Sequence, residues 1–290
     1  MDLNVFYVND TNEVRSKHHF AFCGMRTPEL RCPEVTRYLS GWFIADCLEL
    51  LTLITITGLL HLMSTFKSCL LLGATGNIGK RVLQRLLSQD VHVKAVVRKS
   101  VEQEHPKLTV VKTSILDMPV EDLRLLVSDV DVIVSCLGFG ALMYGGPTRL
   151  KLTIAQRICG ILEHEPNKTK TFIMLNGAAA RHPSGGDASS WIDGSLLSLM
   201  RLLIAPHADM EETLAYLQTQ NHVNWIALRP GLFVDSNSSS YSLTDYRECG
   251  LFSGRVASRD NVADGLVQLA IDKSLQHKWN RKMPVLLDDT

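Results

Sequence analysis

The stretch Leu70-Leu71-Leu72-Gly73-Ala74-Thr75-Gly76-Asn77-Ile78-Gly79 decides how this chain folds. Three consecutive leucines are typical of a short strand that is buried on both faces. The residues that follow place apolar side chains at spacings of three and four, which predicts an amphipathic helix over 78–88. Three glycines separate the strand from the helix. The stretch therefore predicts a strand, a tight turn and a helix in direct succession.

The three glycines of this turn are spaced as a phosphate-binding loop requires. Gly73 tolerates the backbone angles of the turn, Gly76 lets the backbone approach a ligand, and Gly79 allows the helix to pack closely on the strand. The N-terminus of the helix offers N–H groups and a partial positive charge to a phosphate. We therefore predict that the loop binds the pyrophosphate of a dinucleotide. The predicted contacts on this loop are Gly73, Thr75, Gly76, Asn77, Ile78 and Gly79.

Beyond the loop, short apolar runs alternate with helix-length amphipathic stretches. This alternation is typical of a parallel sheet that is covered by helices on both faces. The predicted strands cover residues 68–72, 92–97, 109–112, 132–135, 171–175, 225–228 and 284–287. The predicted helices cover residues 78–88, 120–127, 150–163, 209–219 and 262–271. The sequence therefore predicts an α/β fold, a Rossmann-type doubly wound parallel sheet in a single domain at 63–290, with small C-terminal elements on the substrate side.

Residues 1–62 form an N-terminal extension of a different character. Residues 1–40 show neither strand nor helix periodicity, whereas 41–63 is strongly apolar and, at roughly 20 residues, long enough for a membrane span. The arginines before this segment would hold its start in the cytosol and place the domain away from cytosolic dinucleotides. Three interpretations stay open: an inessential or non-native extension, a membrane anchor, or a helix packed on the domain.

The overall composition argues against several classes of protein. Thirty basic residues balance thirty acidic ones, so no net field attracts nucleic acid, and membrane contact is expected only through 41–63. The seven cysteines are scattered without CxxC pairs or metal-ligand spacing. They predict reduced thiols, no metal site and a cytoplasmic protein, with a membrane-anchored protein as the alternative. The sequence leaves the oligomeric state open.

The end of the second predicted strand selects between the two nicotinamide dinucleotides. NAD-binding proteins place an acidic residue there to bind the ribose hydroxyls, and NADP-binding proteins place a cation. This strand ends in Val97-Arg98-Lys99, without an acid. The planar guanidinium of Arg98 can hold a 2′-phosphate through two hydrogen bonds, and Lys99 adds charge. The sequence therefore predicts NADP as the cofactor, with NAD as the alternative.

The GxxGxxG spacing at 73–79 resembles that of the short-chain dehydrogenase/reductase superfamily, and the loop is similar to that of its NmrA-like and biliverdin-reductase-B-like groups. The resemblance covers residues 67 to about 271. It implies that the segment after the third strand packs on the adenine, that the segment after the fourth passes the ribose, and that Arg-Pro-Gly at 229–231 lies near the nicotinamide. It also implies a helix start at 258–263, where Asp260 would be the N-cap. The implied contacts outside the loop are Ile115, Cys136, Leu137, Gly138, Arg229 and Pro230.

The usual catalytic pair of that superfamily, Tyr-x-x-x-Lys, is absent from this chain. None of its six tyrosines has a lysine four residues later. The stretch Pro-His-Ala-Asp-Met-Glu at 206–211 resembles one in atypical NAD(P)H-binding members, which implies that His207 faces the nicotinamide. His207 would then donate a proton, because its unperturbed pKa is near neutrality; alternatively, His207 and Asp209 only stabilise the helix start. Tyr144 and Asn176 are the other candidate catalytic residues.

Two stretches predict the walls of a substrate pocket. The loop 138–147 carries four glycines together with aromatic and methionine side chains, which is typical of an apolar lid. The stretch 180–203 contains an apolar run from Trp191 and is expected to form the opposite wall. Both stretches favour a hydrophobic small molecule as the substrate.

Two functions agree with these residues. The first is an NADP-dependent oxidoreductase that acts on a hydrophobic carbonyl or enone, with His207, Tyr144 or water supplying the proton. The second is a non-catalytic NAD(P)-sensing regulator of the NmrA type, which binds a protein partner. The absent Tyr/Lys pair favours the regulator, whereas the predicted apolar pocket favours the enzyme. A fold alone does not decide between them.

Overall fold

The computed structural model of the chain describes residues 68–98, 104–138, 149–165, 169–188, 191–235, 240–248, 250 and 256–289. The chain divides into a unit of residues 1–63 and a unit of residues 64–290. Because the described residues begin at 68, the predictions for the extension 1–62 and for its apolar segment 41–63 fall outside them. Within the described ranges, no helix combines the length and the apolar character that crossing a bilayer needs.

The described residues form ten strands and seven helices. The strands are β1 (Ser68–Leu72), β2 (His92–Val97), β3 (Leu108–Lys112), β4 (Val132–Ser135), β5 (Thr171–Leu175), β6 (Asn224–Pro230), β7 (Leu232–Val234), β8 (Tyr241–Thr244), β9 (Val256–Ser258) and β10 (Val285–Asp288). The helices are α1 (Asn77–Ser88), α2 (Val120–Ser128), α3 (Leu150–Glu163), α4 (Trp191–Leu203), α5 (Ala205–Gln218), α6 (Arg259–Ile271) and α7 (Lys273–Trp279).

Eight of the strands form one sheet in the order β3-β2-β1-β4-β5-β6-β10-β8. Seven of them run parallel, and β8 pairs antiparallel with β10 at the edge. The strand order reverses between β1 and β4, which is the doubly wound arrangement of Rossmann folds. The predicted α/β fold is thereby confirmed. A separate pair, β7 and β9, lies beyond the end of β6.

Helices cover both faces of the sheet and divide the core into two layers. Alternate residues of β1 point to opposite faces: Leu71 packs in the layer that α1 and α6 cover, whereas Leu70 and Leu72 pack in the layer under α2, α3 and α5. Because the central strands are buried on both sides, they read as continuous apolar runs in the sequence.

The sequence does not predict five of the shorter or peripheral elements: β7, β8, β9, α4 and α7. Two of the predicted helix starts also differ from the structure. Helix α5 begins at Ala205 and not at 209, since proline is well accommodated in a first turn. Helix α6 is capped by Ser258, whose hydroxyl accepts from the N–H of Asn261. The prediction of Asp260 as the N-cap is wrong, because its carboxylate instead pairs with Arg85 of α1 at 2.9 Å.

Candidate functional site

The glycine loop between β1 and α1 holds a backbone conformation that other residues do not accommodate. The φ angle of Gly73 is +83°, in the left-handed region that favours glycine. A Cβ atom on Gly79 would lie 2.0 Å from the carbonyl oxygen of Gly73. The N–H of Gly76 donates to the same carbonyl at 3.1 Å. The loop is therefore a compact turn that lies against the first turn of α1.

The first turn of α1 leaves backbone donors available to an anion. Its N-cap, Gly76, has no side chain that accepts from them, and the turn contains no acidic residue. Thr75 and Asn77 are exposed beside these donors, whereas the side chain of Ile78 is buried in the core. Ile78 can therefore contribute only its backbone N–H. The free donors and the positive end of the helix fit a pyrophosphate group.

Arg98 lies where the sequence predicts a 2′-phosphate contact. It directly follows β2 and is exposed. Strand β2 is the neighbour of β1, so Arg98 lies at the same edge of the sheet as the glycine loop, on the side away from β4. Lys99 falls outside the described residues, and its predicted contact stays a prediction.

The loop between β3 and α2, which is predicted to contact adenine, is fixed by an arginine that the sequence analysis missed. Arg157 of α3 donates to the carbonyl oxygens of Ile115 at 2.5 Å and Leu116 at 3.0 Å, and also to that of Met118. The side chain of Ile115 is buried. Three carbonyl groups of one loop thus converge on a single guanidinium, which holds the loop in one shape.

The segment after β4, which the resemblance implies passes beside the cofactor ribose, lies close to the glycine loop. A Cβ atom on Gly73 would lie 3.1 Å from backbone atoms of both Cys136 and Leu137. The Cys136 thiol is buried, and burial raises its pKa to about 12, so it is an unreactive core group. Leu137 is half-buried and Gly138 is exposed. Of the three predicted contacts, Cys136 can therefore face a cofactor only with its backbone.

A cluster of buried polar residues lies at the carboxyl ends of β4 and β5, and we call it the polar cluster. None of its members is more than 5% exposed. It consists of Ser135, Lys151, Asn176, His207 and Asp209. The Asp209 carboxylate accepts from the backbone N–H groups of Lys151 at 2.8 Å and Leu152 at 3.0 Å. Asp209 therefore caps α3 from the neighbouring helix α5, and burial raises its pKa.

Three buried atoms of the polar cluster have no hydrogen-bond partner among the described residues: Ser135 Oγ, Asn176 Oδ1 and His207 Nδ1. His207 Nε2 lies 3.1 Å from the carbonyl oxygen of Ala179, and burial lowers the pKa of the ring, which favours its neutral form. Asn176 Nδ2 donates to the carbonyl oxygen of Met210 at 3.2 Å. The catalytic roles of His207 and Asn176 stay predictions. In either role, the atom available to a ligand is the unpartnered one, His207 Nδ1 or Asn176 Oδ1. Tyr144 falls outside the described residues.

The side chain of Arg229 forms bonds within the protein. It is fully buried, and its guanidinium bonds the Asp187 carboxylate at 2.7 and 3.1 Å. It also donates to the carbonyl oxygens of Met283 and Ala180. These bonds occupy the guanidinium, so Arg229 holds the loop 177–188 on the sheet. The contact of Arg229 with the cofactor that the resemblance implies stays a prediction. The adjacent Pro230 is also buried, and its contact stays a prediction.

The sheet order, the glycine loop and the free helix terminus define a dinucleotide-binding protein of the Rossmann class. Residues 73–273 match the model of a family described as NAD(P)H-binding. The chain therefore belongs to this NAD(P)H-binding family. No curated protein has a significantly similar sequence.

Several solved structures share the fold. One is an oxidoreductase from Lactococcus lactis, with 19% identity, a TM-score of 0.59 and coverage of 77% of this chain and 91% of that one. A short-chain dehydrogenase/reductase from Veillonella parvula, in complex with NADP, has 18% identity, a TM-score of 0.57 and coverage of 76% and 94%. A protein from Streptococcus pneumoniae, for which NADH-flavin reductase activity is proposed, has 17% identity, a TM-score of 0.59 and coverage of 77% and 100%. These three proteins thus share the Rossmann fold of this chain.

Proposed function

We propose that the chain is an NADP-dependent oxidoreductase that acts on a hydrophobic carbonyl or enone. The observation that carries the proposal is the polar cluster, which puts unpartnered hydrogen-bonding atoms at the ends of β4 and β5. In a doubly wound sheet, ligands bind at this edge, next to the point where the strand order reverses. Buried polar atoms without partners cost free energy, so their presence there favours a bound ligand that satisfies them.

The choice of NADP is supported by Arg98. It is an exposed cation at the tip of β2, where an NAD-binding protein would place an acid. The Veillonella parvula neighbour was solved with NADP, which agrees with this choice. The hydrophobic substrate is supported by β7, which follows β6 at the same edge of the sheet and exposes Leu232 and Phe233 by 73% and 39%. Exposed apolar side chains at a ligand-binding edge favour an apolar ligand.

The positions of the residues indicate which part of the cofactor or substrate each would bind. A bound dinucleotide supplies hydride chemistry in proteins of this class. The glycine loop and the first turn of α1 would bind its pyrophosphate, Arg98 its 2′-phosphate, and the loop that Arg157 fixes its adenine. The polar cluster would bind polar groups at the nicotinamide end of the dinucleotide, and β7 would contact the apolar part of the substrate.

The proposal is tested with the full chain, a titration with NADPH and NADH, and a panel of quinones, aromatic aldehydes, enones and free flavins. We expect tight NADPH binding and substrate-dependent loss of its absorbance at 340 nm. Tight NADPH binding, with no NADPH oxidation by any compound of the panel, would contradict the proposed oxidoreductase activity and favour the sensing regulator.

Replacing Arg98 tests the choice of cofactor. Arg98→Ala is expected to weaken NADPH binding by about 1.5–3 kcal/mol, or roughly tenfold to a hundredfold, because a charge-assisted pair with the 2′-phosphate is lost. NADH, which lacks that phosphate, should bind the variant and the wild type within about a factor of two. The measurement is a fluorescence titration of each nucleotide. Equal weakening of both nucleotides would show that Arg98 does not select NADP.

A further inference from the structure

Lys151 is a buried cation that joins the ends of two central strands. It lies in the first turn of α3 and is 4% exposed. Its Nζ donates to the carbonyl oxygen of Leu137, just after β4, at 2.8 Å, and to that of Leu175, the last residue of β5, at 2.5 Å. The ammonium is therefore held at the carboxyl edge of the sheet, between β4 and β5. Two of its three N–H groups are used by these bonds.

Stability does not account for a lysine at this position. Burial lowers its pKa to about 8, which shows that the folded protein disfavours the charge. The positive end of the α3 dipole disfavours it as well. The nearest carboxylate, that of Asp209, is bonded to backbone N–H groups of α3 rather than to Nζ. An apolar side chain of similar length would fill the space at lower cost, so the retained ammonium points to a ligand.

The side chains around Lys151 supply further donors and acceptors. Ser135 follows Ile133 by two residues and Asn176 follows Met174 by two, so both project to the face that α3 and α5 cover. Ser135 Oγ and Asn176 Oδ1 are buried, and neither has a hydrogen-bond partner in the part of the chain that the structure describes. An ammonium, a hydroxyl and an amide oxygen together suit a ligand with uncharged oxygen atoms, such as hydroxyls or a carboxamide.

The course of a dinucleotide over this edge identifies which part of it would meet Lys151. The glycine loop fixes the pyrophosphate at the end of β1, and Arg98 marks the adenosine side at the end of β2. The other half of the molecule must then extend over β4 and β5. We propose that the Lys151 ammonium binds the oxygen atoms of the nicotinamide half of the cofactor. The proposal rests on the proposed function only in requiring that a dinucleotide binds.

A comparison of whole and half cofactors tests this contact without measuring turnover. Full-length wild type, Lys151→Met and Lys151→Arg are titrated at pH 7 with NADPH and with 2′,5′-ADP, which lacks the nicotinamide half. Lys151→Met is expected to bind NADPH about tenfold to a hundredfold more weakly, because one charge-assisted hydrogen bond to the cofactor is lost. It should bind 2′,5′-ADP within about twofold of wild type, and Lys151→Arg, which keeps the charge, should recover part of the NADPH affinity.

The pH dependence of the wild type gives a second readout that needs no variant. The titratable groups that act on the Lys151 ammonium are Asp209 of α5 and the Cys136 thiol after β4. The Cys136 thiol, whose pKa is about 12, stays neutral near pH 8. NADPH affinity is therefore expected to fall by up to about tenfold per pH unit above pH 8, as the amine loses its proton, while 2′,5′-ADP affinity stays level. In Lys151→Arg the fall should be absent, because arginine keeps its charge.

The outcomes separate this proposal from the proposed function. Equal weakening of NADPH and 2′,5′-ADP in Lys151→Met would assign Lys151 a structural role and overturn the proposal, as would a level wild-type pH profile. If the wild type binds NADPH but no substrate of the panel causes NADPH oxidation, only the proposed oxidoreductase activity is overturned, because both Lys151 tests measure binding. Wild type that binds neither nucleotide would overturn both.

Discussion

Gly79→Ala is expected to abolish dinucleotide binding. The added Cβ would lie 2.0 Å from the carbonyl oxygen and 2.8 Å from the carbonyl carbon of Gly73, and 3.0 Å from the Cα of Ala74. All three are backbone atoms, so no side chain can rotate away, and the loop itself must move. Because the loop and the first turn of α1 would bind the pyrophosphate together, their displacement should lower NADPH affinity by about 3 kcal/mol or more, roughly a hundredfold. A fluorescence titration with NADPH measures the loss.

Stability should fall in the same variant by about 1–3 kcal/mol, the usual cost of forcing an extra carbon into a packed site. Gly160→Ala is the matched control. Gly160 lies within α3, and apart from its two neighbours and the backbone of its own helix, a Cβ there would meet no described atom within 4 Å. Alanine should stabilise this helix by about 0.5–1 kcal/mol and leave NADPH binding unchanged. If Gly79→Ala binds NADPH as tightly as Gly160→Ala does, the loop is not the pyrophosphate site.

The sequence predicts the central part of the fold well, because local signals and tertiary structure agree there. The β1 run of leucines is buried on both faces, and the turn from that strand into α1 needs glycine at 73 and 79. The peripheral elements are harder to predict. Strand β8 is four residues long at an edge, and its partner β10 lies some 40 residues away in the chain. Such pairing leaves little local pattern.

Residues of the candidate site could be predicted only where their place follows from the local sequence pattern. Arg98 is identified from its position after β2, but Lys151 reads in the sequence as one more cation on an amphipathic helix. Its role depends on carbonyl groups 14 and 24 residues away, which only the assembled sheet brings to it. For the same reason, the sequence does not predict that Arg229 is buried in an ion pair. Its partner Asp187 lies 42 residues earlier, in a loop without periodicity.

Asp187→Asn is expected to cause a large loss of stability, about 3–5 kcal/mol, because it removes the counter-charge of the fully buried Arg229. Asparagine keeps the shape of the side chain, so the loss reports the charge and not a cavity. Asp187 also accepts from the backbone N–H groups of His182 and Arg247, both at 2.9 Å, so the loop 177–188 should loosen with it. Urea unfolding at pH 7, followed by the fluorescence of the buried Trp225 and Trp279, measures the effect.

The pH dependence of the same variant identifies the charge as the cause. Burial alone would raise the pKa of Asp187, yet the hydrogen bonds and charge of Arg229 hold it below its usual value. A carboxyl group with a lowered folded-state pKa stabilises the protein above its unfolded pKa of about 3.9, and this stabilisation is lost as the pH falls through the folded value. The difference between wild type and Asp187→Asn should therefore be constant from pH 8 to pH 5 and shrink below about pH 4. Asp245→Asn, which breaks the exposed pair of Asp245 with Lys282, is the control and should cost at most about 1 kcal/mol. If both variants lose the same stability, Asp187 and Arg229 do not form the buried ion pair that holds this loop at the edge of the site.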